Sequence, residues 1–403
     1  MKHQEDFFMN RQQIRELTDA MYPEVVRIRR HFHENAEVSE HETETCQFIL
    51  DYLTERNIEC RRIAGNGVVA TVYGNGSSTR TVGIRGDIDA LPITEQTGLP
   101  FASKRPGAMH ACGHDMHAAI LLGAATALHQ VRDQINGNVK FFFQPAEETI
   151  GGAEQMIKEG CLENPKVDVS LALHMDEKYP VGEFTFRYGA MYASTTEFKI
   201  HVKGTACHGA HPDMGADAII MAGNLVSAFQ TIVSRNMDPT DPLVITIGTI
   251  HGGTAENIVT GQVTMTGTIR ALKLEHRDFA KKRMVEVADS ITAAYGGSCE
   301  IEFFDSYPPL VNDQEITDLM VALTREEFGE GSVHFRDRAS MGADDFSYFC
   351  QAVPSTYWTV GAAVEKEEDR APLHNELLIL EEEGMRNGLY QELAGVFCLL
   401  NQA

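Results

Sequence analysis

A nine-residue segment, 109–117, carries side chains that could bind a metal or move protons. It contains one cysteine, three histidines and one aspartate, directly ahead of an apolar run. A cysteine among histidines favours metal binding or catalysis over a disulfide. A buried turn with incidental polar residues is the alternative, but polar groups at this density need partners when they are buried. The segment therefore predicts a metal site, with Cys112 and His114 in a loop where their side chains can converge.

Two adjacent carboxylates, Glu147 and Glu148, follow the apolar run 139–143, which predicts a buried strand. Their mutual repulsion and their loss of hydration must be offset if they lie at the end of a core strand. A metal ion would offset both, with one glutamate as a ligand and its neighbour free to act as a base. A solvated pair at the start of a helix is the alternative, and the phenylalanines just before the pair disfavour it.

A second apolar run, Val167–Leu173, predicts another buried strand that ends at His174. The cysteine–histidine segment, the glutamate pair and His174 would then lie at strand ends and in the adjoining loops. Open α/β sheets place their functional sites there. We therefore predict an α/β fold, with a catalytic domain whose central, mostly parallel sheet is flanked by helices.

The elements around these residues follow from apolar spacing. Residues 11–30 have the period of amphipathic helices, which we expect to be broken near Pro23. A helix is expected over 42–56 and another over 115–130, with Asp115 as the N-cap of the latter. Polar residues between the first two helices are expected to form an interhelical cluster; they are His31, His33 and Glu34.

The runs Val68–Tyr73 and Thr81–Arg85 are β-branched and are joined by a glycine-rich loop, which predicts a hairpin. This loop joins strand to strand, so it lacks the helix that a phosphate-binding loop needs. Asp87 and Asp89 then leave the second strand on one side of the chain. They could be metal ligands, turn formers or partners of the ligands, and we favour the last role.

From about residue 190 the pattern changes to alternating strands and helices in the order βαββαβ. That order is typical of a ferredoxin-like α+β domain. We therefore predict an inserted domain at 190–305, between two parts of the catalytic domain at 1–189 and 306–403. Within the insert, His208 follows the first strand, Asn257 lies in a turn and Arg270 lies on a strand face opposite Ile269. Taken singly, each of these three would be interpreted as an ordinary surface residue, and the isolated His374 near the end of the chain as a loop histidine.

The composition limits the classes of partner. The chain has 403 residues, which predicts two domains, and 34 Lys+Arg against 58 Asp+Glu give a net charge of −24. This charge disfavours nucleic acid and anionic membrane surfaces as partners. The eight cysteines have no framework spacing, which fits reduced thiols. With neither a signal peptide nor a membrane-spanning run apparent, we expect a cytoplasmic protein.

Taken together, these residues resemble metallopeptidase family M20, in particular its amidohydrolase branch of hippurate, N-acetyl-amino-acid and indole-acetyl-amino-acid hydrolases. The resemblance covers nearly the whole chain, from about Arg29 to Leu389. It depends on several motifs in order: RGDIDALP (85–92), MHACGHDMHAA (109–119), FQPAEE (143–148), His174, GTACHGAHP (204–212), GTIR (267–270), ADDF (343–346) and LHNE (373–376).

The resemblance implies a dinuclear site with two divalent metal ions, zinc or manganese, and an inserted lid that also mediates dimers. The implied metal ligands are Cys112, His114, Glu148, His174 and His374. It implies that Glu147 is the general acid/base. It also implies that His208, Asn257 and Arg270 contact the substrate from the lid, His208 reaching a neighbouring subunit's site.

The sequence departs from the family pattern at three places around the expected substrate. Asp344 stands where glutamate is usual, Val259-Thr260 replaces an Ile-Pro pair, and Gly86 replaces a common alanine. These differences bear on the identity of the substrate more than on the chemistry.

The resulting prediction is a metal-dependent amidohydrolase that cleaves N-acyl-L-amino acids as a homodimer or homotetramer. A dipeptidase or an N-carbamoyl-amino-acid hydrolase on the same scaffold is the alternative within enzymes. A non-catalytic metal-binding scaffold is disfavoured because Glu147 is present together with all five ligands.

Overall fold

The structure, a computed structural model, describes residues 9–401. The chain forms two compact units. The first contains the described residues up to Gly189, then Val311–Asp337, and the chain from Asp345 onward. The second contains Ala190–Leu310 and Arg338–Asp344. The second unit therefore ends five residues later than the predicted insert and gains a short segment from the 338–344 region, which the linear pattern did not indicate.

The helices are α1 (Arg11–Glu34), α2 (Thr43–Glu55), α3 (His114–Gln130), α4 (Ala153–Lys158), α5 (Ala218–Thr231), α6 (Leu274–Ala294), α7 (Gln314–Phe328), α8 (Ser347–Ala352) and α9 (Glu383–Asn401). The strands are β1 (Glu59–Ile63), β2 (Gly67–Tyr73), β3 (Thr81–Asp87), β4 (Asn138–Gln144), β5 (Val169–Pro180), β6 (Phe184–Phe186), β7 (Gly189–Tyr192), β8 (Ser194–Lys203), β9 (Cys207–His208), β10 (Leu243–Gly252), β11 (Ile258–Val259), β12 (Gln262–Ala271), β13 (Ser298–Asp305), β14 (Leu310–Asn312), β15 (Val333–Phe335) and β16 (Ser355–Ala363).

The first unit is built on an eight-stranded sheet in the order β1-β2-β4-β3-β5-β16-β6-β15. Its centre, β4-β3-β5-β16, is parallel throughout. Antiparallel pairs occur nearer the edges, at β1-β2, β2-β4 and β16-β6. The predicted α/β class with a mostly parallel central sheet is confirmed.

The predicted hairpin between the strands at 68–73 and 81–85 is wrong. β4 lies between β2 and β3, antiparallel to the first and parallel to the second. Every residue of β3 is buried. A strand buried in this way needs partners on both edges, and β4 and β5 supply them.

Helices α1, α3 and α9 pack together beside this sheet. α3 is buried on all sides from His114 to Leu128, as its continuous apolar composition requires. At Gly123 an added Cβ would lie 2.5 Å from Val25 Cγ2, so glycine allows α1 to approach closely. The expected break near Pro23 is absent, since α1 is continuous across it. Burial of Met21 and Val25 on either side of the proline offsets the lost backbone hydrogen bond.

The second unit has a four-stranded antiparallel sheet in the order β10-β12-β8-β13, with α5 and α6 packed on it. Its chain order, β8-α5-β10-β12-α6-β13, is the predicted ferredoxin-like βαββαβ pattern. Alternating side chains of β8, Phe198, Ile200 and Val202, enter its core.

The helical stretch Ala218–Asn236 is long and apolar enough to cross a membrane by length and composition alone. The sequence had led us to expect no membrane-spanning run. A core helix passes the same test, and Met221, Leu225 and Phe229 of this stretch are fully buried in the core of the second unit.

Candidate metal centre

The site lies where the parallel strands of the first unit end. β3 lies between β4 and β5, and β3 ends at Asp87 and β4 at Gln144. β5 continues to Pro180, so His174 lies within this strand and not, as the sequence had led us to expect, at its end. Loops that begin at these ends carry the glutamate pair and face the N-terminus of α3. The fold therefore brings together residues that are far apart in the sequence, such as Cys112 and His174, which are 62 positions apart.

Two loops add the remaining ligand candidates through unusual backbone conformations. Gly113, the N-cap of α3, has a φ of 85°, a left-handed conformation that glycine adopts without strain. His374 has a φ of 64°, which is uncommon for a residue with a side chain. Its amide donates to the Ala111 carbonyl over 2.7 Å, and this bond holds the His374 loop against the Cys112 loop.

The five predicted ligands fall into overlapping groups. The potential ligand atoms of each group lie within 4.8 Å of one another: Cys112, His114 and His174 in one, and Cys112, Glu148 and His374 in another. A third group joins His114 to Glu147 and Glu148. Cys112 Sγ lies 3.5 Å from His174 Nε2, and His374 Nε2 lies 3.2 Å from Glu148 Oε1. The site thus has a thiol, imidazoles and carboxylates converging on one small volume.

The histidine tautomers leave one nitrogen of each ring for a cation. His114 Nδ1 donates to Asp89, 3.0 Å from the carbonyl oxygen and 3.1 Å from Oδ1. His174 Nδ1 donates to the Met175 carbonyl over 2.7 Å. Both Nε2 atoms are therefore free of protons when the rings are neutral. His114 Nε2 is buried and lacks a hydrogen-bond partner in the described part of the chain. Buried polar atoms normally have a partner, so this nitrogen is suited to bind a metal ion.

His117 also lies beside these groups, but both of its nitrogens are already used. Nδ1 donates to Asp87 Oδ1 over 2.6 Å, and Nε2 accepts from the Met175 amide over 2.9 Å. His117 therefore supports the backbone next to His174 and is unsuited to ligation. Asp87 and Asp89 contact the candidate histidines and their neighbours, in line with the expected role of both aspartates as partners of the ligands.

Burial acts strongly on the ionisable groups here. Burial raises the pKa of the Cys112 thiol well above its usual value. Burial lowers the pKa of His174 well below its usual value, which keeps the ring neutral. The hydrogen bond to Glu148 raises the pKa of His374. A buried thiol that must ionise to bind needs a nearby cation, and a divalent metal ion supplies one. The donor set therefore fits a metal.

Asp115 does not have the expected role of N-cap. It lies in the first turn of α3, where Oδ2 is 2.7 Å from Arg29 Nε and 2.8 Å from His33 Nδ1. Burial opposes ionisation, but Arg29 and His33 lower the pKa of Asp115. His33 Nε2 is also 3.2 Å from Glu95. Polar residues of α1 therefore fix the start of α3. Basic residues on the buried face of α1 were the signal in the sequence that could have predicted these contacts.

His208, Asn257 and Arg270 lie in the second unit. His208 is on β9 and Asn257 is next to β11, which pairs with β9; the Asn257 carbonyl accepts from the Gly209 amide over 2.7 Å. His208 Nδ1 accepts from the Ala210 amide over 3.0 Å, so Nε2 carries the proton of the neutral ring. Arg270 lies on β12 beside the fully buried Ile269. Their contact with substrate stays a prediction.

Known proteins of one family are similar to this chain. Residues 83–390 match the family model "Peptidase family M20/M25/M40". An N-acetyl-L-cysteine deacetylase of Bacillus subtilis is 38% identical over 336 residues, which are 83% of this chain and 79% of the relative. A thermostable carboxypeptidase of Saccharolobus solfataricus is 37% identical over 369 residues, 90% of this chain and 92% of the relative.

A solved structure is similar along its whole length. The YXEP protein of Bacillus subtilis, described as a dinuclear metal binding peptidase from the M20 family, superposes with a TM-score of 0.82. It is 31% identical, and the match covers 96% of this chain and 100% of that protein. The chain belongs to peptidase family M20/M25/M40 and is a metal-dependent hydrolase that acts on amide bonds.

Proposed function

We propose that this enzyme cleaves the amide bond of N-acyl-L-amino acids. The observation that carries the proposal is the convergence of Cys112, His114 and His174 with the Glu147–Glu148 pair. Support for the substrate class comes from the relative named N-acetyl-L-cysteine deacetylase. The free carboxylate of such a substrate also gives Arg270 a partner in a protein whose net charge is −24.

The residues that would hold two divalent ions are Cys112, His114, Glu148, His174 and His374. A thiolate ligand favours zinc, whereas carboxylate and imidazole ligands also suit manganese. When bound, such ions polarise the amide carbonyl and lower the pKa of water toward neutrality.

Glu147 is the proposed general acid/base. Its carboxylate takes a proton from the attacking water and delivers that proton to the nitrogen of the leaving amine. Glu148 is assigned to ligation, because its Oε1 lies 3.2 Å from His374 Nε2 in a group that also contains Cys112. Two adjacent carboxylates thus divide ligation and proton transfer between them.

The second unit is proposed to bind the substrate. His208 has its proton on Nε2, so it can donate to the oxyanion of the tetrahedral intermediate. Asn257 and Arg270 are proposed to bind the substrate, Arg270 at its carboxylate. We further propose a homodimer or homotetramer in which His208 serves the site of a neighbouring subunit, and a cytoplasmic location, to which the eight unpaired cysteines are suited.

A peptidase activity is the second candidate function. The relative named thermostable carboxypeptidase favours it, since a peptide with a free carboxyl terminus offers the same carboxylate to Arg270. An N-carbamoyl-amino-acid hydrolase is a third reading of the same residues. The three candidate substrates differ in the group on the carbonyl side of the bond that is cleaved: an acyl group, an aminoacyl group or a carbamoyl group.

Turnover of a substrate panel by the metal-reconstituted enzyme tests the proposal. The panel contains N-acyl-L-amino acids, their carboxamides, dipeptides and N-carbamoyl amino acids. We expect the highest kcat/KM for N-acyl amino acids with a free carboxylate, and Arg270→Ala should mainly raise KM for them. Equal turnover of carboxylate and carboxamide substrates would contradict the role of Arg270, and preference for dipeptides would favour the peptidase.

A further inference from the structure

Glu147 and Glu148 lie in a loop, residues 145–152, that connects β4 to α4; we call it the glutamate loop. Both of its ends are bound to one fully buried carboxylate, Asp345. Before the loop, Gln144 Nε2 donates to Asp345 Oδ1 and Oδ2, each over 2.8 Å. After the loop, the Ala153 amide donates to Asp345 Oδ2 over 3.0 Å. Asp345 therefore closes the loop across its base.

A buried guanidinium balances this carboxylate. Arg85 Nη2 donates to Asp345 Oδ1 over 2.9 Å, and Arg85 Nε donates to Gln144 Oε1 over 2.8 Å. Its Nη1 donates to Asp87 over 2.5 Å. The planar fork of an arginine fixes the directions of these bonds, so the three acceptors are held in one arrangement. The same group thus connects the ends of β3 and β4 with the base of the loop.

The internal backbone bonds of the loop converge on Ala146, whose carbonyl accepts from the Thr149 amide over 3.4 Å. Ala146 has a φ of 58°, a left-handed conformation that costs free energy in a residue with a side chain. Within the loop, the Gly151 amide donates to the Ala146 carbonyl over 2.9 Å. Ile150 is 70% exposed, so its side chain contributes little packing. Bonds to residues outside the loop also hold this conformation. The Ala146 amide donates to the buried Glu42 over 2.8 Å, and the Glu148 amide donates to Asp89 Oδ2 over 3.0 Å.

We propose that Asp345, balanced by Arg85, is a positioning residue that sets Glu147 and Glu148 against the ligand groups. Its carboxylate also lies within 4.8 Å of those of Glu147 and Asp344, so the loop that it closes carries Glu147 close to its own base. This inference rests on the proposed function for the roles of Glu147 and Glu148, but the closure of the loop can be measured without any substrate.

The test is Asp345→Asn, which keeps the shape of the side chain. In the variant, one carboxylate oxygen of Asp345 is replaced by an NH₂ group, which cannot accept the hydrogen bonds that this oxygen accepted. At least one of the bonds from Gln144, Ala153 or Arg85 is therefore lost. Hydrogen–deuterium exchange of the metal-free protein should increase about tenfold or more at 146–153, with little change in the rest of the first unit. Binding of zinc alone should weaken by about 10- to 100-fold. In the loaded enzyme, kcat should fall more than KM rises.

Asp176→Asn is the matched control. Asp176 is also a buried carboxylate of the first unit, with a guanidinium (Arg336), a hydroxyl (Thr359) and a backbone amide (Lys178) as its donors. It has no bond to the glutamate loop among the described contacts. Its variant should lower overall stability without a selective increase in exchange at 146–153.

Three results would overturn the proposal: unchanged exchange at 146–153, a uniform increase across the first unit, or the same pattern in Asp176→Asn. If Asp345→Asn does not fold, Arg85→Lys carries the test, since it keeps the charge but cannot reach three acceptors at once. Selective loosening of the loop supports the proposal, and its absence contradicts it. Failure of every N-acyl substrate in the panel would leave these exchange measurements standing, so the two proposals fail separately.

Discussion

The hydrogen-bond partner of one ring nitrogen determines whether the other nitrogen of a histidine at this site is available to a metal. His114 and His174 each use Nδ1 for a backbone or aspartate oxygen, and this leaves Nε2 available as a metal ligand. His117 uses both nitrogens and is thereby withdrawn from ligation. Residue type alone would have allowed any of the three histidines to bind. The hydrogen-bond partners of the ring nitrogens distinguish His114 and His174, which keep Nε2 available, from His117, which does not.

A second residue-scale feature is a buried carboxyl group that the proposed chemistry does not use. Glu392, on α9, is 1% exposed, and burial raises its pKa well above the ordinary value of 4.5. The protonated form is therefore favoured in the folded state. The stability that this preference supplies is fully present below the unfolded pKa and is lost as the pH rises through the folded pKa.

We expect Glu392→Gln to be progressively more stable than the wild type as the pH rises above about 4.5. The difference should grow by about 1.4 kcal/mol per pH unit until the carboxyl ionises. Urea unfolding at several pH values measures it, with Glu55→Gln, whose side chain is 76% exposed, as the control. A difference that does not change with pH would show that Glu392 is not held protonated by the fold.

At the scale of the elements, the start of α3 depends on α1. Arg29 and Arg30 are neighbours on α1, and both contact Glu382, but only Arg29 reaches the buried Asp115. Arg29 is 3% exposed in its side chain, whereas Arg30 is 48% exposed. Buried ion pairs are costly to break, and exposed ones contribute little.

Arg29→Ala should therefore lower the free energy of unfolding by about 3–5 kcal/mol, because it leaves Asp115 with less compensation. Arg30→Ala should cost less than about 1 kcal/mol. Denaturant unfolding of the two variants under identical conditions makes the comparison. Equal losses would mean that the contact between Arg29 and Asp115 does not fix α3.

Local patterns predicted the class of the fold and the order of its elements, because apolar periodicity reports which faces are buried. They did not predict that β4 separates β2 from β3, since strand neighbours are chosen by packing across the sheet. They also missed the continuity of α1 across Pro23, where packing of Met21 and Val25 outweighs a lost hydrogen bond. Asp115 was expected as a cap because its partners Arg29 and His33 are more than 80 residues earlier in the chain.

At the scale of the whole molecule, the first unit carries the proposed ligands and the base, and the second carries His208, Asn257 and Arg270. The proposed assembly would place His208 in the site of a neighbouring subunit. The motifs of both units were recognisable in the sequence because each is local. That they meet in one site stays a proposal, because no local pattern encodes the assembly that it requires.

Complementation tests this arrangement. An inactive Glu147→Gln chain and an inactive His208→Ala chain should restore activity when their subunits exchange. A symmetric mixed dimer would contain one site with both residues intact, so up to about half of the normal activity per dimer should return. Heterodimers that are demonstrated to form but remain inactive would rule out a His208 that serves its neighbour.

The role of Glu147 as the base beside the metal ligands is the central claim, and the kcat of Glu147→Gln at matched metal content tests it most directly. Glutamine keeps the shape of the side chain but cannot take up the proton of the attacking water. We expect metal content and fold to be retained while kcat falls by at least about 10²-fold. Glu154→Gln, at a glutamate on α4 whose side chain is 47% exposed, should keep wild-type kcat. A Glu147→Gln enzyme with near-wild-type kcat and full metal content would contradict the account.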